Sequence, residues 1–183
     1  METSGKFVMD IQELRKRARE HMEAGAVTSN YEGDVGTSIK LLNDALATEI
    51  VCVLRYKAHA ATAQGIHSES VKEVFEEHAR EESEHGDMLA ERINQLGGKP
   101  DYDPAGLLTR SATQYVQGTS LLNMIEENLV AERIAVETYR AMIRYFSTRD
   151  PTSRQILEKI LADEEEHATD MQDLLVAQHG DPH

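Results

Sequence analysis

The sequence has little cysteine and little proline and contains no tryptophan, and these shortages already narrow the class of protein. A single cysteine cannot form a disulfide within the chain, which excludes a small fold held together by cross-links. Cys52 lies in the apolar run IVCVL, a setting typical of a small core residue rather than a nucleophile. Four prolines in 183 residues leave room for long helices. The reduced thiol favours a cytoplasmic compartment.

Long apolar runs and positive charge are also scarce. No stretch approaches the roughly 18 consecutive apolar residues of a membrane span, and METSGKFVMD does not resemble a secretory signal, so we expect a cytoplasmic protein with no membrane partner. The formal net charge of -14 argues against a surface built to bind nucleic acid. The basic cluster RKRAR at residues 15–19 is interpreted as a solvated helix face, so DNA is not expected as a partner.

Four long segments have helical periodicity, and no convincing alternating strand pattern occurs, so the predicted fold is all-α. They span residues 38–64, 70–96, 119–147 and 150–180. A hydroxyl of Thr37 or Ser38 is expected to cap the first segment, and a capping box beginning at Ser70 the second. Asp150 followed by Pro151 is typical of the start of the fourth.

The connections between the segments predict a four-helix bundle made of two antiparallel hairpins. The first and second segments, and the third and fourth, are joined by a few residues, whereas residues 97–118 form a long crossover between the pairs. A short extra helix is predicted over residues 10–23, because Ile11, Leu14, Ala18 and Met22 share one helical face, and a linker is predicted at 24–36. We therefore divide the chain into an N-terminal extension, 1–36, and a four-helix bundle, 37–180.

A short motif occurs twice, once in each half of the chain. Glu82-x-x-His85 lies in EESEHGDML, and Glu164-x-x-His167 lies in DEEEHATDM. With 33 acidic residues and eight His in the chain, one such motif can arise by chance. Residues three apart face the same side of a helix, so each pair can present a carboxylate and an imidazole to one point.

The two partner helices repeat as well. In LATEIVCVLRYKA and LVAERIAVETYRA, Glu49 aligns with Glu132 and Tyr56 aligns with Tyr139. The halves are offset by 82 to 83 residues throughout, which implies two similar hairpins related by a pseudo-twofold axis.

Two residues on the paired helices of an antiparallel hairpin lie at the same height when the turn is midway between them in sequence. The sequence midpoint of Glu49 and Glu82 is 65.5, and that of Glu132 and Glu164 is 148. Both midpoints fall in the predicted turns, so six side chains are expected to converge in the middle of the bundle. They are Glu49, Glu82, His85, Glu132, Glu164 and His167.

Four carboxylates buried together require compensating charge, because like charges repel and the interior solvates them poorly. Two divalent cations would supply that charge. One Glu from each of two helices plus Glu-x-x-His from the other two is the ligand set of di-iron and di-manganese carboxylate proteins. The mixture of oxygen and imidazole donors favours Fe or Mn over a tetrahedral Zn site.

The neighbours of these six residues leave alternatives open. Tyr56 and Tyr139 could be redox-active or contact ligands, or could be core residues with a satisfied hydroxyl. Glu81 and Asp163 could each orient a histidine across the bundle, or could be solvated. Two other histidines are interpreted as structural or exposed: His59 and His78.

Over residues 38–178 these motifs resemble the ferritin-like superfamily, and within it most closely the bacterioferritins and the Dps-like ferritins. The resemblance implies a ferroxidase centre in which the six residues above bind two Fe ions per subunit, Mn being possible, and carry the catalysis. It also implies oxidation of Fe(II) by dioxygen or hydrogen peroxide and storage of Fe(III) in a hollow homo-oligomeric shell.

Two departures from the bacterioferritin pattern change these expectations. Ser83 stands where bacterioferritins have a haem-ligating Met, so no haem is expected. Only 16 residues follow His167, too few for the fifth helix of 24-subunit cages, which favours 12 subunits. Two alternatives remain. One is a rubrerythrin- or catalase-like di-metal peroxidase, although no Cys-x-x-Cys module is present; the other is a Dps-like protective shell binding DNA through RKRAR.

Overall fold

The computed structural model describes residues 9–65 and 68–179, apart from the side chain at position 179; residues 1–8, 66–67 and 180–183 lie outside the described part. Within it, every regular element is helical. The α-helices are α1 (Ile11–Arg17), α2 (Val35–Thr62), α3 (Ser68–Gln95), α4 (Leu107–Arg110), α5 (Leu121–Phe146) and α6 (Pro151–His179). Two 3₁₀ turns, Met22–Ala24 and Pro104–Gly106, complete the set.

Four of these helices form the bundle. Helices α2 and α3 pack along one another as one hairpin and α5 and α6 as the other, joined by a crossover that contains α4. The all-α, ferritin-like prediction is therefore confirmed. Each bundle helix has 26 to 29 residues, or roughly 40 Å at 1.5 Å per residue. None of the described helices combines the length and the apolar character needed to cross a membrane.

Two apolar clusters lie on either side of the middle of the bundle. Members of one include Leu42, Leu89 and Ile160, packed around Tyr139. Members of the other include Val71, Phe75, Ile125 and Met171, packed around Tyr56. The six predicted site residues lie along the helices between these clusters and are buried.

The observed helix starts differ from two of the predicted caps. Helix α2 begins at Val35, because the carboxylate of Asp34 accepts from the backbone N–H of Thr37 at 2.7 Å, so the predicted hydroxyl cap is wrong. Helix α3 begins at Ser68, two residues before the predicted capping box. The predicted turn midpoint at Gly65–Ile66 falls at the edge of the described residues, since 66 and 67 lie outside them.

The N-terminal segment is less helical than predicted. The α-helix expected over 10–23 ends at Arg17, and His21 and Gly25 turn the chain with positive φ values of 51° and 58°. No residue of α1 is buried, so its apolar positions gain too little from packing to extend it. The division between residues 36 and 37 stays a prediction, and its last residue, 180, lies outside the described range.

Asp150 joins the start of α6 to α3 and to the N-terminal linker. Its carboxylate is 2% exposed and accepts from the Ser153 backbone at 2.9 Å, from Arg92 Nη2 at 2.9 and 3.0 Å, and from the Tyr31 hydroxyl at 2.9 Å. Burial alone would raise the pKa of Asp150, but the hydrogen bonds from Ser153 and Arg92 lower it below its usual value. The predicted acidic cap of the fourth helix is thus confirmed.

We expect Asp150→Asn to lower the free energy of unfolding by about 2 kcal/mol, since a buried charge-assisted hydrogen bond network loses its acceptor charge. Because the folded-state pKa is depressed, this loss is fully present well above pH 3.8 and shrinks as the pH falls through the folded value. Urea denaturation at constant subunit concentration measures it. Asp173→Asn, an exposed position on the same helix, is the matched control, and an equal loss in both variants would contradict the assignment.

Candidate metal centre

The structure brings all six predicted site residues together in the middle of the bundle. Each is between 0% and 2% exposed. The first group, here called position 1, consists of Glu49, Glu82, His85 and Glu164. In it, Nδ1 of His85 lies 3.3 Å from Glu49 Oε2, 3.3 Å from Glu82 Oε2 and 3.4 Å from Glu164 Oε1.

The second group, position 2, consists of Glu82, Glu132, Glu164 and His167. Nδ1 of His167 lies 3.8 Å from Glu82 Oε1, 3.9 Å from Glu132 Oε2 and 3.9 Å from Glu164 Oε2. Within each position, one donor atom from every residue lies within 4.8 Å of the others. Glu82 and Glu164 belong to both positions, so their two oxygens can serve two adjacent cations.

Burial and mutual repulsion strongly perturb the carboxyl groups. Burial, followed by the charges of neighbouring carboxylates, raises the pKa of Glu82 and of Glu164 well above the usual value. Burial also opposes ionisation of Glu49, but hydrogen bonds from His85 and Glu82 leave the pKa of Glu49 lowered. For His85, burial acts to lower the pKa, yet the hydrogen bonds to Glu49 and Glu82 raise it to about 11. The metal-free centre therefore retains protons.

Several buried oxygen and nitrogen atoms of the centre that could bind a metal ion lack a hydrogen-bond partner. They are Glu82 Oε1, Glu132 Oε2, both carboxylate oxygens of Glu164, and Nδ1 of His167. Leaving such atoms unpaired in the interior costs about 1–3 kcal/mol each. All five face the two positions, and oxygen and imidazole donors suit iron or manganese. The residues present thus fit two divalent cations.

We expect the metal-free protein, prepared with a chelator, to lose stability as the pH rises from 7 to 9. The folded state keeps the His85 proton, whereas the unfolded chain releases it above pH 6.5, so the free energy of unfolding falls by about 1 kcal/mol per pH unit. The raised pKa values of Glu82 and Glu164 act in the same direction. Chemical denaturation at several pH values measures the slope. The slope should flatten in His85→Gln and persist in His21→Gln; a stability that rises over this range would contradict the expectation.

The outer nitrogens of the two histidines contact carboxylates on the opposite helix. His85 Nε2 lies 3.1 Å from Asp163 Oδ2, and His167 Nε2 lies 2.7 Å from Glu81 Oε2. These contacts hold each ring with Nδ1 turned toward the centre, as metal-bound imidazoles commonly require. Of the two alternatives for Glu81 and Asp163, the structure favours orientation of the histidines.

Tyr56 and Tyr139 each donate a hydrogen bond to a carboxylate of the centre that lies on a helix of the other hairpin. The Tyr56 hydroxyl on α2 donates to Glu132 Oε1 on α5 at 2.5 Å, and the Tyr139 hydroxyl on α5 donates to Glu49 on α2. The crossed pairs follow the internal repeat. The two further histidines are buried: His78 Nδ1 lies 3.1 Å from the Tyr56 hydroxyl, and His59 Nε2 lies 2.8 Å from the carbonyl of Val116.

A buried arginine near the centre was missed by the sequence reasoning. Arg55 is 0% exposed, and its Nη2 lies 3.8 Å from Glu132 Oε1. Its other groups donate to Asn128 Oδ1 at 2.9 Å and to the carbonyl of Gln114 at 3.2 Å, and Nη2 lies 3.5 Å from Cys52 Sγ, which is buried as predicted. The available signal was a charged residue inside the apolar stretch IVCVLRYKAHA, directly before Tyr56.

Two cavities reach the centre from different sides of the bundle. One, of about 150 Å³, lies between α3 and α6. Two imidazoles, whose ring centroids lie 4.0 Å apart, and five acids line it: His78, His167, Glu77, Glu81, Asp163, Glu166 and Asp170. The other, of about 230 Å³, lies between α2 and α3, is mostly apolar, and reaches Glu82. Five acidic side chains line the first cavity, whereas two, Glu82 and Asp87, line the second.

The fold and this arrangement define the class of protein: a four-helix bundle with a buried carboxylate and histidine centre. The ferritin-like domain matches residues 39–178, and the chain belongs to that family. The family assignment made from the sequence is confirmed.

The relatives of this chain include both a DNA protection protein and a bacterioferritin-related protein. The DNA protection during starvation protein of Pyrococcus furiosus is 30% identical over 145 residues, which cover 78% of each chain. A dodecameric thioferritin, the bacterioferritin-related protein of Bacteroides fragilis, is 34% identical with a TM-score of 0.76, covering 79% of this chain and 87% of its own. A ferritin-like di-iron-carboxylate protein of Bacillus anthracis is 29% identical with a TM-score of 0.69, covering 78% and 97%.

Proposed function

We propose that the protein is a cytoplasmic ferroxidase and iron-storage protein, an oxidoreductase whose substrate is Fe(II). The observation that carries this proposal is the pair of overlapping positions that share Glu82 and Glu164 and contain buried donor atoms without partners. The six residues proposed as ligands are Glu49, Glu82, His85, Glu132, Glu164 and His167. The di-iron-carboxylate relative supports iron as the metal, and manganese suits the same donors.

In the proposed reaction, two Fe(II) ions each lose one electron. One hydrogen peroxide takes up both electrons and two protons and gives two waters; with dioxygen, the same two electrons and two protons give hydrogen peroxide. The chain's contribution is to hold both ions side by side, with Glu82 and Glu164 shared between them. Tyr56 and Tyr139 fix one oxygen of Glu132 and of Glu49, which leaves the second oxygen of each facing the centre.

The acidic cavity between α3 and α6 is the proposed route for Fe(II). Its carboxylates attract divalent cations and raise their local concentration at the mouth. His167 lies both in this cavity and in position 2, so an ion in the cavity is already next to the centre.

We further propose that the subunits assemble into a hollow shell that retains Fe(III), with 12 subunits favoured over 24. The dodecameric Bacteroides relative supports this number. The test is to load the protein anaerobically with Fe(II), add dioxygen or peroxide, and follow near-ultraviolet absorbance, particle mass and retained iron. A large particle that oxidises and keeps hundreds of irons supports storage. A small oligomer that consumes peroxide and retains no iron would instead support the rubrerythrin- or catalase-like alternative.

DNA binding is a second candidate because the Pyrococcus relative is named for DNA protection. The exposed basic side chains of α1 and the residues after it, including Arg15, Lys16 and Arg19, would be the contact surface. We propose that the protein does not depend on DNA, since the net charge of -14 opposes phosphate binding. A gel-shift titration at low and physiological salt distinguishes a DNA-binding protein from one that does not depend on DNA. It compares the wild-type protein with a variant in which the basic side chains of residues 15–19 are replaced by neutral ones.

A further inference from the structure

The two halves of the internal repeat differ at one buried charge beside the centre. Arg55 precedes Tyr56 in α2, and the residue in the same place before Tyr139 in α5 is Thr138. Thr138 is half-buried, and its hydroxyl donates to the carbonyl of Ile134 in its own helix. Within the described residues, Arg55 is also the one Lys or Arg side chain within ion-pair distance of any of the six proposed ligands.

The charge of Arg55 is fixed in place and permanently present. Three separate groups hold the guanidinium: Asn128, the carbonyl of Gln114, and the Cys52 sulfur. Burial acts to lower the pKa of Arg55, but Cys52 and Glu132 leave it above the usual arginine value. An arginine therefore remains a cation here whatever occupies the centre.

This cation lies within ion-pair distance of a ligand that belongs to position 2 alone, and of no ligand that belongs to position 1 alone. Glu132 belongs only to position 2, and its Oε1 already receives the Tyr56 hydroxyl and faces Arg55 at 3.8 Å. Glu49, its counterpart in position 1, has the Tyr139 hydroxyl but no arginine. The negative charge that Glu132 offers to a metal is thus partly offset by Arg55, whereas no arginine or lysine of the described residues lies within ion-pair distance of Glu49.

We propose that Arg55 makes the two positions unequal, so that a first divalent cation binds at position 1 and a second binds more weakly at position 2. This inference rests on the dinuclear centre of the proposed function and adds an order of filling to it. A buried unit charge this close to a ligand carboxylate is expected to separate the two affinities by about tenfold or more, because the interior screens charges poorly. Arg55 is here a positioning residue that sets the charge of Glu132.

The test uses Co(II) as a redox-stable probe, followed by calorimetry and by visible absorbance of the bound ion. Two single-position variants remove the repulsion between neighbouring cations: Glu132→Gln disables position 2, and Glu49→Gln disables position 1. We expect Co(II) to bind Glu132→Gln at least about tenfold more tightly than Glu49→Gln. The wild-type protein should take up Co(II) in two resolved steps.

Substitution of Arg55 then identifies the cause. Arg55→Met in the Glu49→Gln background should tighten Co(II) binding at position 2 and reduce the difference in affinity between the two positions to less than about threefold. Arg55→Lys should preserve that difference because it keeps a positive charge. Arg133→Met is the matched control, an exposed arginine adjacent to Glu132 in sequence, and should change nothing. Circular dichroism checks that each variant is folded, and if Arg55→Met does not fold, Arg55→Gln, which keeps hydrogen-bond donors without the charge, takes its place.

The outcomes separate this inference from the proposed function. Equal affinities in the two single-position variants, or a gap that survives Arg55→Met, would overturn the role of Arg55 while leaving a dinuclear centre in place. Absence of Co(II) binding in the wild-type protein would overturn the proposed centre itself, and the inference with it.

Discussion

Glu82→Gln is expected to slow Fe(II) oxidation by at least about 100-fold. Removal of a residue that only hydrogen-bonds a metal ligand typically costs about 10–100-fold, and loss of a ligand itself should cost at least as much. Glu82 contributes an oxygen to each of the two positions, so one substitution weakens both cation sites together. Glutamine has nearly the same shape but lacks the charge that neutralises a divalent cation. Stopped-flow absorbance after anaerobic loading and addition of oxidant measures the rate.

The matched control is Glu84→Gln, two residues further along α3. Glu84 is exposed, whereas Glu82 is buried, so the two variants change the same charge on opposite faces of one helix. Glu84→Gln should oxidise Fe(II) at the wild-type rate. A Glu82→Gln protein that keeps the wild-type rate would place the oxidation elsewhere, whichever class of di-metal enzyme the protein represents.

Cation loading is expected to have the largest effect on stability. At a free Co(II) concentration 100 times the dissociation constant of the weaker position, two bound cations should raise the free energy of unfolding by at least about 5 kcal/mol. The cations satisfy buried donors that otherwise lack partners, and they displace the protons retained by Glu82 and Glu164. Chemical denaturation with and without Co(II), at fixed pH and subunit concentration, measures the gain.

This stabilisation should depend on the centre and on pH. Proton release on binding means that the gain is larger at pH 8 than at pH 6, since protons compete with the cations for the carboxylates. The Glu82→Gln variant should lose most of the gain, and Glu84→Gln should keep it. Equal stabilisation of both variants would show that the cations act at the surface.

Most of the bundle could be predicted because helix periodicity and end signals are local properties of the chain. The bounds of the four long helices were predicted to within about three residues. The errors lie at the ends and in the N-terminal segment. Asp34, not a hydroxyl of Thr37 or Ser38, caps α2, because the choice among neighbouring polar groups depends on where the incoming chain turns.

The helix predicted over residues 10–23 shows the limit of a periodic pattern. The pattern placed Ile11, Leu14 and Met22 on one face, yet all three are exposed, and only Ile11–Arg17 is α-helical. An amphipathic face stabilises a helix only when it packs against another part of the protein. The local sequence does not show whether such a packing partner exists.

The sequence by itself determined the fold class and the convergence of six side chains, since helical spacing, hairpin length and an internal repeat together fix which residues share one height and one face. The tertiary structure decided what surrounds them. The crossed contacts of Tyr56 with Glu132 and of His167 with Glu81, and the burial of Arg55, depend on which helices face one another and on rotamers chosen by packing. Spacing along one helix carries no information about side chains reaching across from another. The near-symmetry of the motif could therefore be predicted, whereas the placement of the Arg55 charge beside Glu132 could not.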